Sequence, residues 1–205
     1  MDVKNPTSVN HRIFKYINLV RHPVAHFISW YYYERNGFSD QFHGKVKFQD
    51  SKWSHKLEPG TEKLSISDCI AGNFTTCLSP GKHSEFMGYF CGHQWFCFLG
   101  NNEQAFKMAR NNIEDKFIFI GVLEELELSL KLFEKSMPGW FQGMVKVYDE
   151  KIALEKDKMV THGKVEAGDN EMRFLEERLF WEIKLYDWIV ERFWKHLRLL
   201  RVIDK

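Results

Sequence analysis

The sequence predicts an α/β fold: a parallel sheet flanked by helices, followed by a long C-terminal helix, all in a single domain spanning residues 1–205. Three observations predict it. Tyr16-Ile17-Asn18-Leu19-Val20 and Phe117-Ile118-Phe119-Ile120-Gly121-Val122 are short, apolar and partly β-branched, as buried strands are. Each is followed by apolar residues at helical spacing. Residues 170–200 carry one wide apolar face.

The elements follow in order. After the first strand, Arg21-His22-Pro23 interrupts the apolar run, and Pro23 suits the opening turn of a helix, where its missing N–H costs nothing. Val24, Phe27, Ile28, Tyr31 and Tyr32 then recur at helical spacing until Asn36-Gly37 closes the helix. Residues 38–63 are polar and turn-rich and read as a long exposed loop with Lys45, Lys47, Lys52, Lys56 and Lys63. A short helix is predicted over 67–71, and another over 102–112 with Ala105, Phe106, Met108 and Ala109 inward. The second strand leads into a helix over 123–135, with Leu126, Leu130 and Phe133 inward, broken by Pro138-Gly139. Residues 149–170 are charged and loosely patterned. Residues 170–200 read as one long helix with Phe174, Trp181, Tyr186, Ile189, Phe193, Trp194 and Leu197 inward.

Composition supports a packed body. The 205 residues include 18 Phe and 7 Trp and are 44% hydrophobic, which excludes a disordered chain. Lys plus Arg total 29 against 28 Asp plus Glu, so the net charge of +1 gives no general attraction to polyanions. An acidic ligand would need a local concentration of positive charge. No apolar run is long enough to span a bilayer, and residues 1–12 have no apolar signal-peptide centre.

Four cysteines, Cys69, Cys77, Cys91 and Cys97, fall in two close pairs. Short-range pairing would close two small loops, each worth about 2–3 kcal/mol in the chain-entropy model. Two alternatives stand beside it: a zinc site drawn from Cys91, His93 and Cys97, or four free thiols in a cytosolic structural domain. The chain's one N-glycosylation sequon, Asn73-Phe74-Thr75, lies inside the first loop, which favours a secretory lumen.

The candidate chemistry sits after the first strand. A helix start offers unpaired N–H groups and the positive end of the dipole. Arg21 at the strand's carboxyl end can fork onto two oxygens of a phosphate, and ligands of open α/β sheets bind at that edge. Ser29, two turns along, adds a hydroxyl.

The stretch from Ile17 through Arg21-His22-Pro23 to Ser29-Trp30-Tyr31-Tyr32-Tyr33 resembles the 3′-phosphate-binding segment of sulfotransferases, closest to the heparan sulfate and uronyl 2-O-sulfotransferases. Asp68-Cys69-Ile70 with Cys77, Tyr89-Phe90-Cys91-Gly92-His93 with Cys97, Phe119-Ile120-Gly121-Val122-Leu123-Glu124-Glu125-Leu126-Glu127 and Met137-Pro138-Gly139-Trp140-Phe141-Gln142-Gly143 resemble further segments of that family in the same order. The resemblance implies part of a P-loop-like parallel sheet, with Arg21 and Ser29 on the 3′-phosphate of the sulfuryl donor PAPS (3′-phosphoadenylyl sulfate). It implies the disulfides Cys69–Cys77 and Cys91–Cys97 and no metal, and the sequon marks Asn73 as a glycan site. It further implies a Golgi-lumenal, membrane-anchored enzyme, a homotrimer in relatives, acting on the 2-hydroxyl of a uronic acid in a glycosaminoglycan, either heparan sulfate or chondroitin/dermatan sulfate. Lys45, Lys47 and Lys52 would then face the acidic polymer.

Two family parts have no counterpart in this sequence: the Lys/Thr/Ser-rich loop that holds the 5′-phosphosulfate, and the His-Gly-His segment that supplies the base. The expectation is therefore an N-terminally truncated, inactive chain, with no catalytic residue assigned; a non-catalytic nucleotide- or carbohydrate-binding remnant is the alternative. Two departures accompany this. His22 stands where the family has Asp, and residues 157–164 replace a basic segment of relatives.

Overall fold

Two strands far apart in the chain set the position of everything else. In the structure, a computed structural model that describes residues 15–36, 59–155, 161 and 163–203, β1 (Tyr16–Val20) pairs in parallel with β2 (Phe117–Val122). The register ends on Val20 opposite Val122. The two carboxyl ends therefore lie side by side, and so do the corners that follow them, Arg21-His22-Pro23 and Leu123-Glu124-Glu125.

Helices surround this pair. In chain order they are α1 (Pro23–Asn36), α2 (Ile66–Ala71), α3 (Thr75–Leu78), α4 (Pro80–Ser84), α5 (Phe86–Cys91), α6 (Glu103–Lys116), α7 (Leu126–Ser136), α8 (Pro138–Phe141), α9 (Met144–Glu155), α10 (Asp169–Arg178) and α11 (Phe180–Leu199). Single 3-10 turns occupy Trp95–Phe98 and Leu123–Glu125. α7 lies directly on β2: the Phe119 and Phe133 rings are 4.7 Å apart. Gly121 permits this approach, because a Cβ there would stand 2.9 Å from Phe133, Ser129 and Leu19 atoms. Buried Ser129 ties the same corner, accepting the Val122 N–H at 2.8 Å and donating to the Val122 carbonyl at 2.9 Å.

Two apolar clusters form. One gathers Val20, Phe90, Phe119, Ile120, Leu132, Leu185, Ile189 and Phe193 around the sheet. The other gathers Val24, Phe27, Tyr31, Ile66, Cys69, Cys77, Leu175 and Leu179 between α1, α2, α3 and α10. The α/β class, the parallel pairing and the long terminal helix are as the sequence predicts.

Four details differ. The terminal helix is two, α10 and α11, joined at Leu179. Leu179 is fully buried in the second cluster, while Leu185 and Ile189 enter the first. The chain changes direction to fill both, and the Asn101 side-chain oxygen takes the Trp181 N–H at 3.2 Å. Residues 144–155 form α9, within a stretch whose charges hide its period. Pro138 opens α8 instead of only ending α7, as proline does at N1. Leu126 is half-buried and Leu132 takes the deep position instead.

Candidate functional site

Arg21 stands at the carboxyl end of β1 and Pro23 opens α1. Helix geometry leaves the Val24 and Ala25 N–H groups without intrahelical acceptors, since the His26 N–H is the first to close the ladder, onto the His22 carbonyl at 2.8 Å. The first turn of α1 holds no acidic residue. Among the described residues no hydrogen bond or ion pair holds the half-buried Arg21 guanidinium.

The corner is braced from β2. One Glu124 carboxylate oxygen accepts the His22 N–H at 2.8 Å and the other accepts the Tyr186 hydroxyl at 3.0 Å. The Tyr186 ring meets the His22 ring edge to face at 5.2 Å. Burial, then the Glu124 charge, hold the Tyr186 phenol protonated far above its ordinary range. Glu124 thus fixes the backbone on which Arg21 and α1 are mounted.

Further along α1, the Ser29 and Thr161 hydroxyls lie 3.2 Å apart. Thr161 belongs to the segment 157–164, which stands where relatives carry a basic segment. His22, His26 and Ser29, at i, i+4 and i+7, share the partly open side of α1, whereas Val24, Phe27, Ile28, Tyr31 and Tyr32 are buried. Burial, then the Arg21 charge, lower the His26 pKa below the usual histidine value. A cation and helix-end donors meet at the strand end, where they can hold a tetrahedral anion, and the two hydroxyls lie two turns along the same helix.

The remaining predicted site residues divide. Cys69 bonds Cys77 and Cys91 bonds Cys97, with Cα separations of 6.0 and 5.6 Å. The zinc alternative on Cys91, His93 and Cys97 falls, because the two sulfurs bind each other and His93 is exposed. The free-thiol alternative falls with it. Asn73 is exposed between α2 and α3, in the left-handed region at φ 57°. Tyr31 and Tyr32 are core residues, 0% and 3% exposed, as their helical spacing predicts. Lys164 is exposed. Lys45, Lys47 and Lys52 lie outside the described residues. Among the described residues no helix is long and apolar enough to cross a membrane. Sequence reasoning did not single out Glu124, Tyr186, Thr161 or His26 as site residues; only the regular spacing of His22, His26 and Ser29 offered a signal.

A strand, an arginine and a helix start braced in this way can hold an anion, and the curated proteins that the chain resembles are named as sulfotransferases. No protein-family model matches the chain. The chain is homologous to uronyl 2-sulfotransferase of Mus musculus, 30% identical over 179 residues, which is 87% of this chain and 42% of the relative. It is similar to heparan sulfate 2-O-sulfotransferase 1 of Xenopus laevis, 26% identical over 182 residues. Heparin sulfate O-sulfotransferase of Drosophila melanogaster is 24% identical over 180 residues. The chain spans about half the length of these three relatives, between 42% and 48%.

Proposed function

We propose that this chain supplies the 3′-phosphate-binding half of a PAPS-dependent 2-O-sulfotransferase acting on a uronic acid of a glycosaminoglycan, heparan sulfate or chondroitin/dermatan sulfate. The observation that carries the reading is the Arg21 guanidinium at the end of β1, without an ion pair among the described residues, beside the opening turn of the helix that carries Ser29 and its Thr161 contact. Arg21 grips two phosphate oxygens, the Val24 and Ala25 N–H groups face a third, and Ser29 closes the cradle. Sulfuryl transfer also needs neutralisation of the leaving 5′-phosphate and a base for the acceptor hydroxyl. No segment among the 205 residues resembles either part. The chain alone therefore binds nucleotide without turning over. That same observation favours a second reading, a binding remnant of the fold. The disulfides and the exposed Asn73 suit a Golgi-lumenal, membrane-anchored, glycosylated homotrimer.

The test is calorimetric titration with adenosine 3′,5′-bisphosphate and with adenosine 5′-monophosphate, beside an assay of labelled sulfate transfer from PAPS to desulfated heparin. The bisphosphate is expected to bind at least about tenfold more tightly, the difference of one charge-assisted phosphate contact. Equal affinity for the two nucleotides contradicts the reading, and sulfate transfer by this chain contradicts the division of labour.

A further inference from the structure

His22 joins Arg21, which carries the guanidinium, to Pro23, which opens α1. Its carbonyl is held from within the helix, accepting the His26 N–H at 2.8 Å. Its N–H is held from outside, by a Glu124 carboxylate oxygen at 2.8 Å, from a residue 102 positions away. Both main-chain polar groups of this one residue are therefore fixed, and with them the direction in which the Arg21 stem leaves the strand. Glu124 is held in turn: its other oxygen accepts the Tyr186 hydroxyl at 3.0 Å, and Tyr186 is a buried residue of α11. Glu124 itself is exposed, so its charge stays hydrated while two of its acceptor positions are in use.

We infer that Glu124 is a positioning residue for the anion, acting through the His22 main chain, and that it serves by its reach as a double acceptor and not by its charge. The inference rests on the phosphate-binding reading above. A guanidinium forks onto two phosphate oxygens only when its stem leaves the backbone in the right direction. Side chains that make such a contact need supporting bonds to hold that direction. The charge of Glu124 cannot itself favour an anion at this corner, because like charges repel, although water and salt weaken the effect at an exposed group. The carboxylate therefore works against its own charge, through two oxygens spaced to meet His22 on one side and Tyr186 on the other. The Tyr186 ring also packs edge to face on the His22 ring at 5.2 Å. α11 thus meets His22 twice, once through Glu124 and once directly. The direction of Arg21 is set by the long terminal helix as well as by β1.

The experiment sets Glu124→Gln against Glu124→Asp, by calorimetric titration of the intact chain with adenosine 3′,5′-bisphosphate and with adenosine 5′-monophosphate. Gln keeps the reach, with an oxygen for the His22 N–H and an amide N–H for the Tyr186 oxygen, and loses the charge. Asp keeps the charge and is one carbon too short to meet both partners. The readout is the ratio of the two affinities, which isolates the 3′-phosphate. Glu124→Gln should keep the wild-type ratio or raise it about two- to threefold. Glu124→Asp should lower it about three- to tenfold, the net loss of one hydrogen bond. Tyr186→Phe, which removes one of the two struts, should fall between wild type and Glu124→Asp. A merely structural role would shift the thermal midpoint and both affinities together and leave the ratio alone, and that result overturns the inference. So does a Glu124→Gln ratio as low as that of Glu124→Asp, which would make the charge the working feature. In both cases a wild-type preference for the bisphosphate leaves the phosphate reading intact, whereas equal wild-type affinities for the two nucleotides overturn both. Should Glu124→Asp fold poorly, Tyr186→Phe decides: a wild-type ratio in that protein refutes the role.

Discussion

The two apolar clusters are built by different means. The cluster around the sheet is assembled from strand and helix faces: Phe119, Ile120, Leu132, Leu185 and Phe193 interlock without polar partners of their own. The cluster under α1 contains no strand, and polar ties reach into it. The Tyr31 hydroxyl donates to the Leu64 carbonyl at 3.0 Å, the Tyr32 hydroxyl accepts the Ile66 N–H at 3.2 Å, and the Arg35 guanidinium lies 3.4 Å from the Tyr31 ring centroid. The fully buried Cys69–Cys77 bond closes it. Pattern and volume specify the first cluster, and a small number of particular bonds specify the second. Val20 belongs to one and Val24 to the other, so Arg21-His22-Pro23 lies in the seam between them. The proposed phosphate-binding corner, placed there, takes its backbone from the sheet and its helix from the disulfide-closed body.

The largest effect should come from the sheet side. Phe119→Ala removes a side chain 1% exposed and stacked on Phe133, and should lower unfolding free energy by about 3–5 kcal/mol in urea titration. A loss below about 1 kcal/mol would mean that this core is not packed as described. Next, replacing both Cys69 and Cys77 by Ala should cost about 2–3 kcal/mol for their short loop. Because that bond lies under α1, the change should also weaken adenosine 3′,5′-bisphosphate binding, whereas Cys91→Ala with Cys97→Ala should leave binding nearly unchanged. Equal effects of the two pairs on binding would remove the distinction between the clusters.

The smallest effect is a pH dependence. Burial, opposed in part by Arg35 and assisted by Glu85, pushes Glu34 on α1 up to about 7. A carboxyl raised in the folded state binds more protons there than in the unfolded chain, so stability falls as pH rises between its ordinary value of 4.5 and about 7. Glu34→Gln should flatten that slope, by on the order of 1 kcal/mol once solvent screening is allowed for. Superimposable stability–pH curves for the two proteins would show that Glu34 titrates normally.

What could be read in the sequence follows how local its cause is. The β1–α1 corner was legible because strand, arginine, proline and helix are consecutive, and each residue's conformational preference agrees with its neighbours'. The Glu124 brace on His22 and the Thr161 contact to Ser29 were not, because they join residues 102 and 132 positions apart. The break at Leu179 was hidden for another reason. Nothing in the local sequence stops the helix there, and the bend answers to two cores competing for successive apolar residues.

The account depends on Arg21 above all, and its most direct test is calorimetric titration of wild type and Arg21→Ala with adenosine 3′,5′-bisphosphate. Loss of a two-pronged guanidinium–phosphate contact should weaken binding by about ten- to hundredfold while the thermal midpoint stays within a few degrees. An Arg21→Ala protein that binds the bisphosphate as tightly as wild type would contradict the assignment of this corner to the 3′-phosphate.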